Sequence, residues 1–309
     1  MIITVTMNPA IDKTALIKKF TVGGLNRLTN PISDMGGKGI NVSKAIKALG
    51  GESLCTGFIA GENGQWIIQQ LENMNIQHDF IKVEGNTRVN LKILDESMTL
   101  TELNEVGQKI SKEDLELLIH KLNKLTQKDD IVILAGSVPL GIKHDIYAKM
   151  INDLKKKEVK VILDADGDLF KEGIEACPFL IKPNKYELCQ YFNLNQNCSN
   201  DELIEKAKTL LTKGIQVIVI SLGSKGAIFL TNHQTIFVKG INVKAHSAVG
   251  AGDSMVGAIA YGLSQNFDLD PLIRLAVATS AGAVMSEGTK PPTRDVVDSL
   301  VSLVKIESI

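Results

Sequence analysis

The sequence predicts an α/β protein with a doubly wound, mostly parallel sheet, helices on both faces and a small inserted β-sheet. Three observations carry this. From about residue 130 onward, short β-branched runs alternate with stretches of helical periodicity. These runs end in turns rich in Gly, Pro, Asn and Asp, at residues 136–139, 164–166, 183–184 and 221–226. Residues 87–93 instead alternate strictly between polar and apolar, the mark of a half-exposed strand apart from the buried sheet.

In chain order, residues 2–7 read as a buried strand stopped by Pro9. Asn8 and Asp12 follow at the strand's end, where ligands bind in open α/β sheets, although both residue types also favour ordinary turns. Residues 13–30 read as short strands around a turn at Gly23 and Gly24. Gly36, Gly37, Lys38 and Gly39 then open a helix whose apolar face is Val42, Ala45, Ile46 and Leu49. The spacing is not that of a Walker loop, which needs four residues before Gly-Lys-Ser/Thr. Contact of Gly37, Lys38 and Asn41 with a sugar or sugar phosphate fits better, beside the plainer reading of a glycine-rich helix start.

Residues 54–59 read as a strand and 64–74 as a helix. In the alternating segment Arg88, Asn90 and Lys92 share one face, suited to an anionic ligand, with Lys92 expected to be solvated. Residues 98–104 would pair with it, so segments near 13–34 and 86–107 would form a small β lid. Further strands are expected at 130–135, 159–163, 179–182 and 215–220, with a helix at 143–156. A hairpin turns over 231–234, and the last third is helical at 253–264, 272–287 and 294–304.

Lys+Arg number 34 and Asp+Glu 35, which argues against a general nucleic-acid or membrane-surface binder and leaves small anionic ligands open. Four cysteines, Cys55, Cys177, Cys189 and Cys198, lack metal-ligand spacing and point to a reducing, cytoplasmic setting. No signal-peptide pattern and no apolar run of transmembrane length is present.

The chemistry concentrates at Val249-Gly250-Ala251-Gly252-Asp253-Ser254, ahead of a helical run through Met255, Val256, Ile259, Ala260 and Leu263. Free N–H groups at a helix N-terminus bind anions, and small residues let a phosphate approach the backbone. Asp253 beside that cradle could take a proton from an acceptor hydroxyl during phosphoryl transfer. Alone, the stretch equally fits a helix start with Asp in its first turn.

Together, Gly36-Gly37-Lys38-Gly39-Ile40-Asn41-Val42 and Val249-Gly250-Ala251-Gly252-Asp253-Ser254 resemble the two defining motifs of the PfkB (ribokinase-like) carbohydrate kinases. Between them, Lys182-Pro183-Asn184 with Glu187 resembles the family's Asn-x-x-Glu element, and Ser221-Leu222-Gly223 with Gly226 its ATP-phosphate loop. The resemblance covers essentially the whole chain and implies one kinase domain over 1–309 with a ribokinase-like fold and a β lid. It is strongest to the branch holding tagatose-6-phosphate kinases and 1-phosphofructokinases, through Thr6-Met7-Asn8-Pro9-Ala10-Ile11-Asp12 and Thr87-Arg88-Val89-Asn90. The implied reaction is transfer from MgATP to the 6-hydroxyl of fructose 1-phosphate, with tagatose 6-phosphate or fructose 6-phosphate as alternative acceptors.

By the same resemblance, Asp253 is the base, and Gly250, Ala251 and Gly252 form the anion hole. Lys182, Asn184, the loop Ser221, Leu222, Gly223, Ser224, Lys225 and Gly226, and Ala248 with Val249 would hold ATP. Asn184 and Glu187 would organise Mg²⁺ through water. Asp12, Gly37, Lys38, Asn41 and Asn90 would hold the sugar, and Arg88, with Arg27, its phosphate. A homodimer formed through the lid is also implied. Ser247-Ala248 departs from the Asp-Thr of many sugar and nucleoside kinases, where the Asp belongs to a monovalent-cation site. A non-catalytic sugar-phosphate sensor stands as a rival from another class, distinguished by the fate of its function in Asp253→Asn. A dinucleotide-binding oxidoreductase is set aside, because the first strand runs into Asn8-Pro9 instead of a glycine fingerprint.

Overall fold

The structure, a computed structural model, describes residues 1–97 and 99–308; the expected strand start at Met98 lies outside the described residues. The chain opens with β1 (Ile2–Thr6), β2 (Ala10–Ile17), β3 (Thr29–Gly36), α1 (Lys38–Ala48), β4 (Leu54–Ala60) and α2 (Gly61–Asn73). Next come β5 (Gln77–His78), β6 (Ile81–Val83), β7 (Arg88–Asp95), β8 (Leu100–Asn104) and α3 (Lys112–Leu125). The central part is β9 (Ile131–Ala135), α4 (Ile146–Lys155), β10 (Lys160–Asp164), α5 (Gly167–Glu175), β11 (Leu180–Ile181), α6 (Lys185–Phe192) and α7 (Asn200–Lys213). The chain closes with β12 (Val217–Ser221), β13 (Gly226–Thr231), β14 (Thr235–Lys239), α8 (Ala251–Ser264), α9 (Leu269–Val284), α10 (Arg294–Val301) and β15 (Ile306–Ser308).

The large sheet has the order β15-β14-β13-β12-β11-β10-β9-β1-β4-β5, with β6 also beside β4. From β12 to β5 neighbouring strands run parallel; β13, β14 and β15 add an antiparallel edge. Strand alternation sends Val132 and Leu134 to a core packed by α3 to α7, and Ile131 and Ile133 to a second core under α1, α8, α9 and α10. Both faces are therefore covered, which is why these strands read as continuous apolar runs.

The second sheet has the order β3-β2-β7-β8, and β2 and β7 pair in parallel. It begins at Ala10 and runs to Gly36, wider than the expected 13–34, because Pro9 ends β1 without preventing the next residues from pairing with β3 and β7. Its second piece has strands at Arg88–Asp95 and Leu100–Asn104. A third apolar cluster, including Ile11, Met35, Ile40, Ile59 and Ile67, ties this sheet to α1 and α2. The strands β5, β6 and β15 have two or three residues each, too short to show periodicity in the sequence.

The sharp passage from β3 into α1 depends on Gly37, whose φ is +113°. A Cβ there would lie 2.6 Å from Thr6 Cγ2 and 3.2 Å from Pro9 Cα. Gly37→Ala is therefore expected to lower unfolding free energy by about 1–3 kcal/mol, read as a lower urea midpoint with unchanged slope.

Candidate active site

Asp164, Lys182, Ser221 and Asp253, among the candidate residues, meet at the carboxyl ends of β10, β11 and β12, beside the start of α8. Gly250 caps α8 with φ +80°, and the first bond of the helix runs from Ser254 N–H to Gly250 O at 2.8 Å. Among the described residues nothing accepts from the N–H groups of Ala251 and Gly252. They form an open anion site at the positive end of a 14-residue helix. Ala248 and Val249 lie in the loop leading to it.

Asp253, in the first turn of α8, is buried and accepts from Asn41 Nδ2 at 2.8 Å. Burial pushes its carboxyl above the usual aspartate range; Asp164 pushes the same way, while Lys38, the Asn41 bond and Lys182 oppose it. Asp164, at the end of β10, is also buried. Its Oδ1 lies 3.3 Å from Lys38 Nζ and 3.4 Å from Lys182 Nζ. Burial raises its carboxyl, but Lys182 and Lys38 together hold it below the ordinary value. Burial pulls the Lys38 ammonium down, and Asp164, Asp253, Glu187 and Asp166 bring it above its normal range. A side chain at Gly252 would come within 3.2 Å of Lys182 Nζ, so this cation stands against the open N–H groups. Two ammonium groups and a helix N-terminus make a cradle for phosphoryl oxygens.

Asn184 and Glu187 form a capping box at the start of α6: Glu187 N–H donates to Asn184 Oδ1, and Asn184 N–H donates to Glu187 Oε2, each at 2.8 Å. The Asn-x-x-Glu element is thus first a helix start. One oxygen of Glu187 lies outside the box, and burial raises its carboxyl above the usual range. The buried Asp164 Oδ2 has no hydrogen-bond partner. Among the described residues no cluster of three or more His, Cys, Asp or Glu side chains could hold an ion. These hard oxygens fit Mg²⁺ bound mainly by phosphates and water, and do not fit an all-protein cage.

Ser221 N–H donates to Pro183 O at 3.0 Å, which sets the loop after β12 beside Asn184. Leu222 precedes a single turn of 3₁₀ helix at Gly223–Lys225, and Gly223, Ser224 and Lys225 are exposed, while Gly226 starts β13.

On the small sheet, Asp12 stands opposite Asn90 in the β2–β7 register, and its Oδ1 accepts from Asn90 Nδ2 at 2.9 Å. Lys92, expected to be solvated, instead donates to Asp12 Oδ2 at 2.9 Å, because parallel pairing with β2 places the carboxylate under it. Gly36 packs on the same carboxylate: a Cβ there would lie 2.6 Å from Asp12 Cγ. Arg88 donates from Nε and Nη2 to Asn8 O at 3.3 and 3.1 Å, and from Nη1 to Glu105 O at 2.9 Å. Arg27 is exposed in the β2–β3 loop, with no ion pair or hydrogen bond to the cluster among the described residues.

Sequence reading did not single out Lys44 or Thr289, and noted Asp164 only as part of a strand-end turn. Lys44 is 2% exposed, and burial pulls its ammonium below the usual lysine range against the pull of Asp34, Asp12 and Asp253. In the sequence Lys44 looks like any polar helix position; the missed signal was its place three residues after Asn41, on the same helix face.

With this geometry in place, residues 5–295 match the pfkB family of carbohydrate kinases. The chain belongs to this family. It is 36% identical over 306 residues to 1-phosphofructokinase of Bacillus subtilis, covering 99% of each chain. It is 32% identical to a tagatose-6-phosphate kinase of Staphylococcus epidermidis, again with 99% of each covered. The tetrameric inhibited form of phosphofructokinase-2 from Escherichia coli superposes with a TM-score of 0.91 at 27% identity, covering 98% of each chain. As a pfkB-family kinase, the chain uses ATP as co-substrate.

Were Asp253 to accept the substrate proton, its raised carboxyl should put the acid limb of kcat/KM above the ordinary aspartate range, because only the ionised form can accept. A pH–rate profile checks this; a limb at the free-aspartate value would contradict it.

Proposed function

We propose that this pfkB-family kinase transfers the γ-phosphoryl group of ATP to the 6-hydroxyl of fructose 1-phosphate, giving fructose 1,6-bisphosphate. The observation that carries it is the buried carboxylate of Asp253 in the same first turn of α8 as the open N–H groups of Ala251 and Gly252. Identity of 30–36% to several 1-phosphofructokinases over the whole chain supports the acceptor; tagatose 6-phosphate is the second reading, favoured by the relative at 32% identity.

In this reading, Asp12, Asn90, Gly37, Lys38 and Asn41 hold the sugar so that its free hydroxyl lies between Asp253 and the N-terminus of α8. Asp253 takes the hydroxyl proton as negative charge builds on the attacking oxygen. Lys38, Lys182 and the amides of Ala251 and Gly252 meet the charge of the transferring group. Asn184, Glu187 and the free oxygen of Asp164 would face Mg²⁺, which supplies neutralising charge on the ATP phosphates when bound. The small sheet would act as a lid that excludes water from the reacting phosphoryl group. The free thiols, with Cys189 and Cys198 sulfurs 3.4 Å apart, suit a reducing cytoplasm; among the described residues no helix is long and apolar enough to cross a membrane.

The small sheet also carries the homodimer in this reading. Leu16, Ile32, Leu100 and Leu103 are exposed on its strands, and Val22 and Leu25 on its loop. A hollow of about 670 Å³, bordered by Leu28, Val89, Leu91 and Leu103, lies on the same sheet. Leu103 shares the face of Leu91 and the hollow, whereas Leu16, Ile32 and Leu100 lie on the face of Asp12 and Asn90. Exposed apolar surface of this extent supports an interaction site. The tetrameric relative supports self-association. Sedimentation should give a dimer, and Leu103→Glu should yield monomer at the same concentration; a wild-type monomer would refute the interface.

A coupled ADP-release assay with Mg²⁺ and ATP tests the reaction itself. Fructose 1-phosphate should give the highest kcat/KM among fructose 1-phosphate, tagatose 6-phosphate and fructose 6-phosphate. Asp253→Asn should lower kcat by about 10²–10⁴-fold. Preference for tagatose 6-phosphate would move the assignment to that substrate, and no turnover by folded, ATP-binding protein would favour a sensor.

A further inference from the structure

Lys44 lies on α1, three residues after Asn41, and its ammonium is buried where β3, α1 and the loop after α9 meet. It donates to Thr289 Oγ1 at 3.0 Å, and to Met35 O and Asn41 Oδ1 at 3.3 Å each; Asp34 Oδ1 is 3.9 Å away. Three acceptors use all three N–H bonds of an ammonium, whereas a neutral amine would have only two. Burying such a charge is costly unless every proton finds a partner, and here each does.

The consequence falls on Asn41. Its side chain has one accepting oxygen and one donating nitrogen, and nothing in the amide itself decides which faces Asp253. Lys44 can only donate, so the atom facing it must be Oδ1. The nitrogen is then presented to Asp253 Oδ2 at 2.8 Å, which leaves Oδ1 of Asp253 to accept a proton. A flipped amide would put two acceptors in contact and disfavour the ionised carboxylate.

We propose that Lys44 is a positioning residue for phosphoryl transfer: it fixes the orientation of the Asn41 amide and so keeps Asp253 ready to accept the substrate proton. The proposal rests on the reading of Asp253 as the base. Lys44 is anchored on both sides of the site. Met35 and Asp34 belong to β3 of the small sheet, and Thr289 lies beside Gly250, where a Cβ would be 3.6 Å from Thr289 Cα. The charged groups facing Lys44 are Asp34 from β3, Asp12 from β2, Asp253 from α8 and Lys92 from β7. Those facing Asp253 are Asp164 from β10, Lys38 from α1 and Lys182 beyond β11.

The test compares wild type, Lys44→Met, Lys44→Gln, Asn41→Leu and Lys44→Met/Asn41→Leu, each first checked for folding by thermal melt and for ATP binding. Gln can fill the space and hydrogen-bond, but it can also accept, so the donor-only constraint is lost. Both single Lys44 variants should lose on the order of 10- to 100-fold in kcat at neutral pH with nearly unchanged KM for ATP, the cost of a misplaced catalytic group. Their acid limb should move to higher pH. In the Asn41→Leu background, Lys44→Met should move the limb no further. An unmoved limb in folded Lys44 variants would overturn the proposal. So would an equal shift in both backgrounds, which would make Lys44 only a nearby charge. A ¹³C-carboxyl NMR titration, with Asp253→Asn assigning the signal, reads the same shifts without turnover. If wild type phosphorylated no sugar, the proposed reaction would fail, while the titration would still support or overturn the link from Lys44 to Asp253.

Discussion

Two buried carboxylates, Asp164 and Asp253, face each other electrostatically at the carboxyl ends of the strands, and the site depends on how their repulsion is resolved. It is resolved unequally. Asp164 has two ammonium partners within 3.4 Å and is held ionised. Asp253 has one neutral amide donor and is pushed upward. Environments that drive two titratable groups apart suit them to different roles: in the proposed reaction one would be a fixed counter-charge and the other would exchange a proton. Lys38 and Lys182 would serve both needs in the proposed reaction, because the cations that neutralise Asp164 also stand where phosphoryl oxygens would meet them.

The fold supplies this arrangement through topology. Asp164 ends β10, Lys182 follows β11, Ser221 ends β12, and parallel pairing brings the three strand ends to one edge of the sheet. The helices α1 and α8 pack together on one face, so Asn41 and Asp253 meet although 212 residues separate them. Gly257 permits the close approach, since a Cβ there would lie 2.8 Å from Ala45 Cβ. The Asn41–Asp253 geometry therefore rests on packed helix backbones, which hold a side chain more firmly than a loop would.

Local patterns made much of this legible. Gly250-Ala251-Gly252-Asp253 announces a helix start with open amides, and the structure places Gly250 as the cap. The alternation of residues 88–92 showed that Arg88, Asn90 and Lys92 share a face. It could not show that Asp12 lies beneath them, because a parallel register between β2 and β7 joins residues 78 and 80 positions apart. Lys44 was hidden for the same reason: its helix position looks solvent-facing until β3 and the loop after α9 close over it. Buried charge is a property of assembled elements, and no window of sequence contains all its partners. The capping box shows the reverse case, where a motif taken for metal chemistry also has a purely local duty.

The small sheet raises a different question, that of acceptor choice. Arg88 donates three of its five N–H bonds to the carbonyls of Asn8 and Glu105, which fastens β7 to the end of β1 and to the chain after β8. In the proposed reaction a phosphate there would meet a guanidinium already oriented by backbone, with two donors left over. Orientation in advance lowers the ordering cost of binding but also fixes where the phosphate sits. Asp12, held from one side by Asn90 and from the other by Lys92, is fixed likewise. A set distance between a rigid Arg88 and a rigid Asp253 would then select the span from phosphate to acceptor hydroxyl. A sugar whose phosphate is displaced by one carbon could satisfy one of these groups only by leaving the other. Fructose 1-phosphate, tagatose 6-phosphate and fructose 6-phosphate all carry phosphate and acceptor hydroxyl on C1 and C6, so they share that span. Choice among the three would fall to the groups that meet the sugar hydroxyls, Asp12 and Asn90.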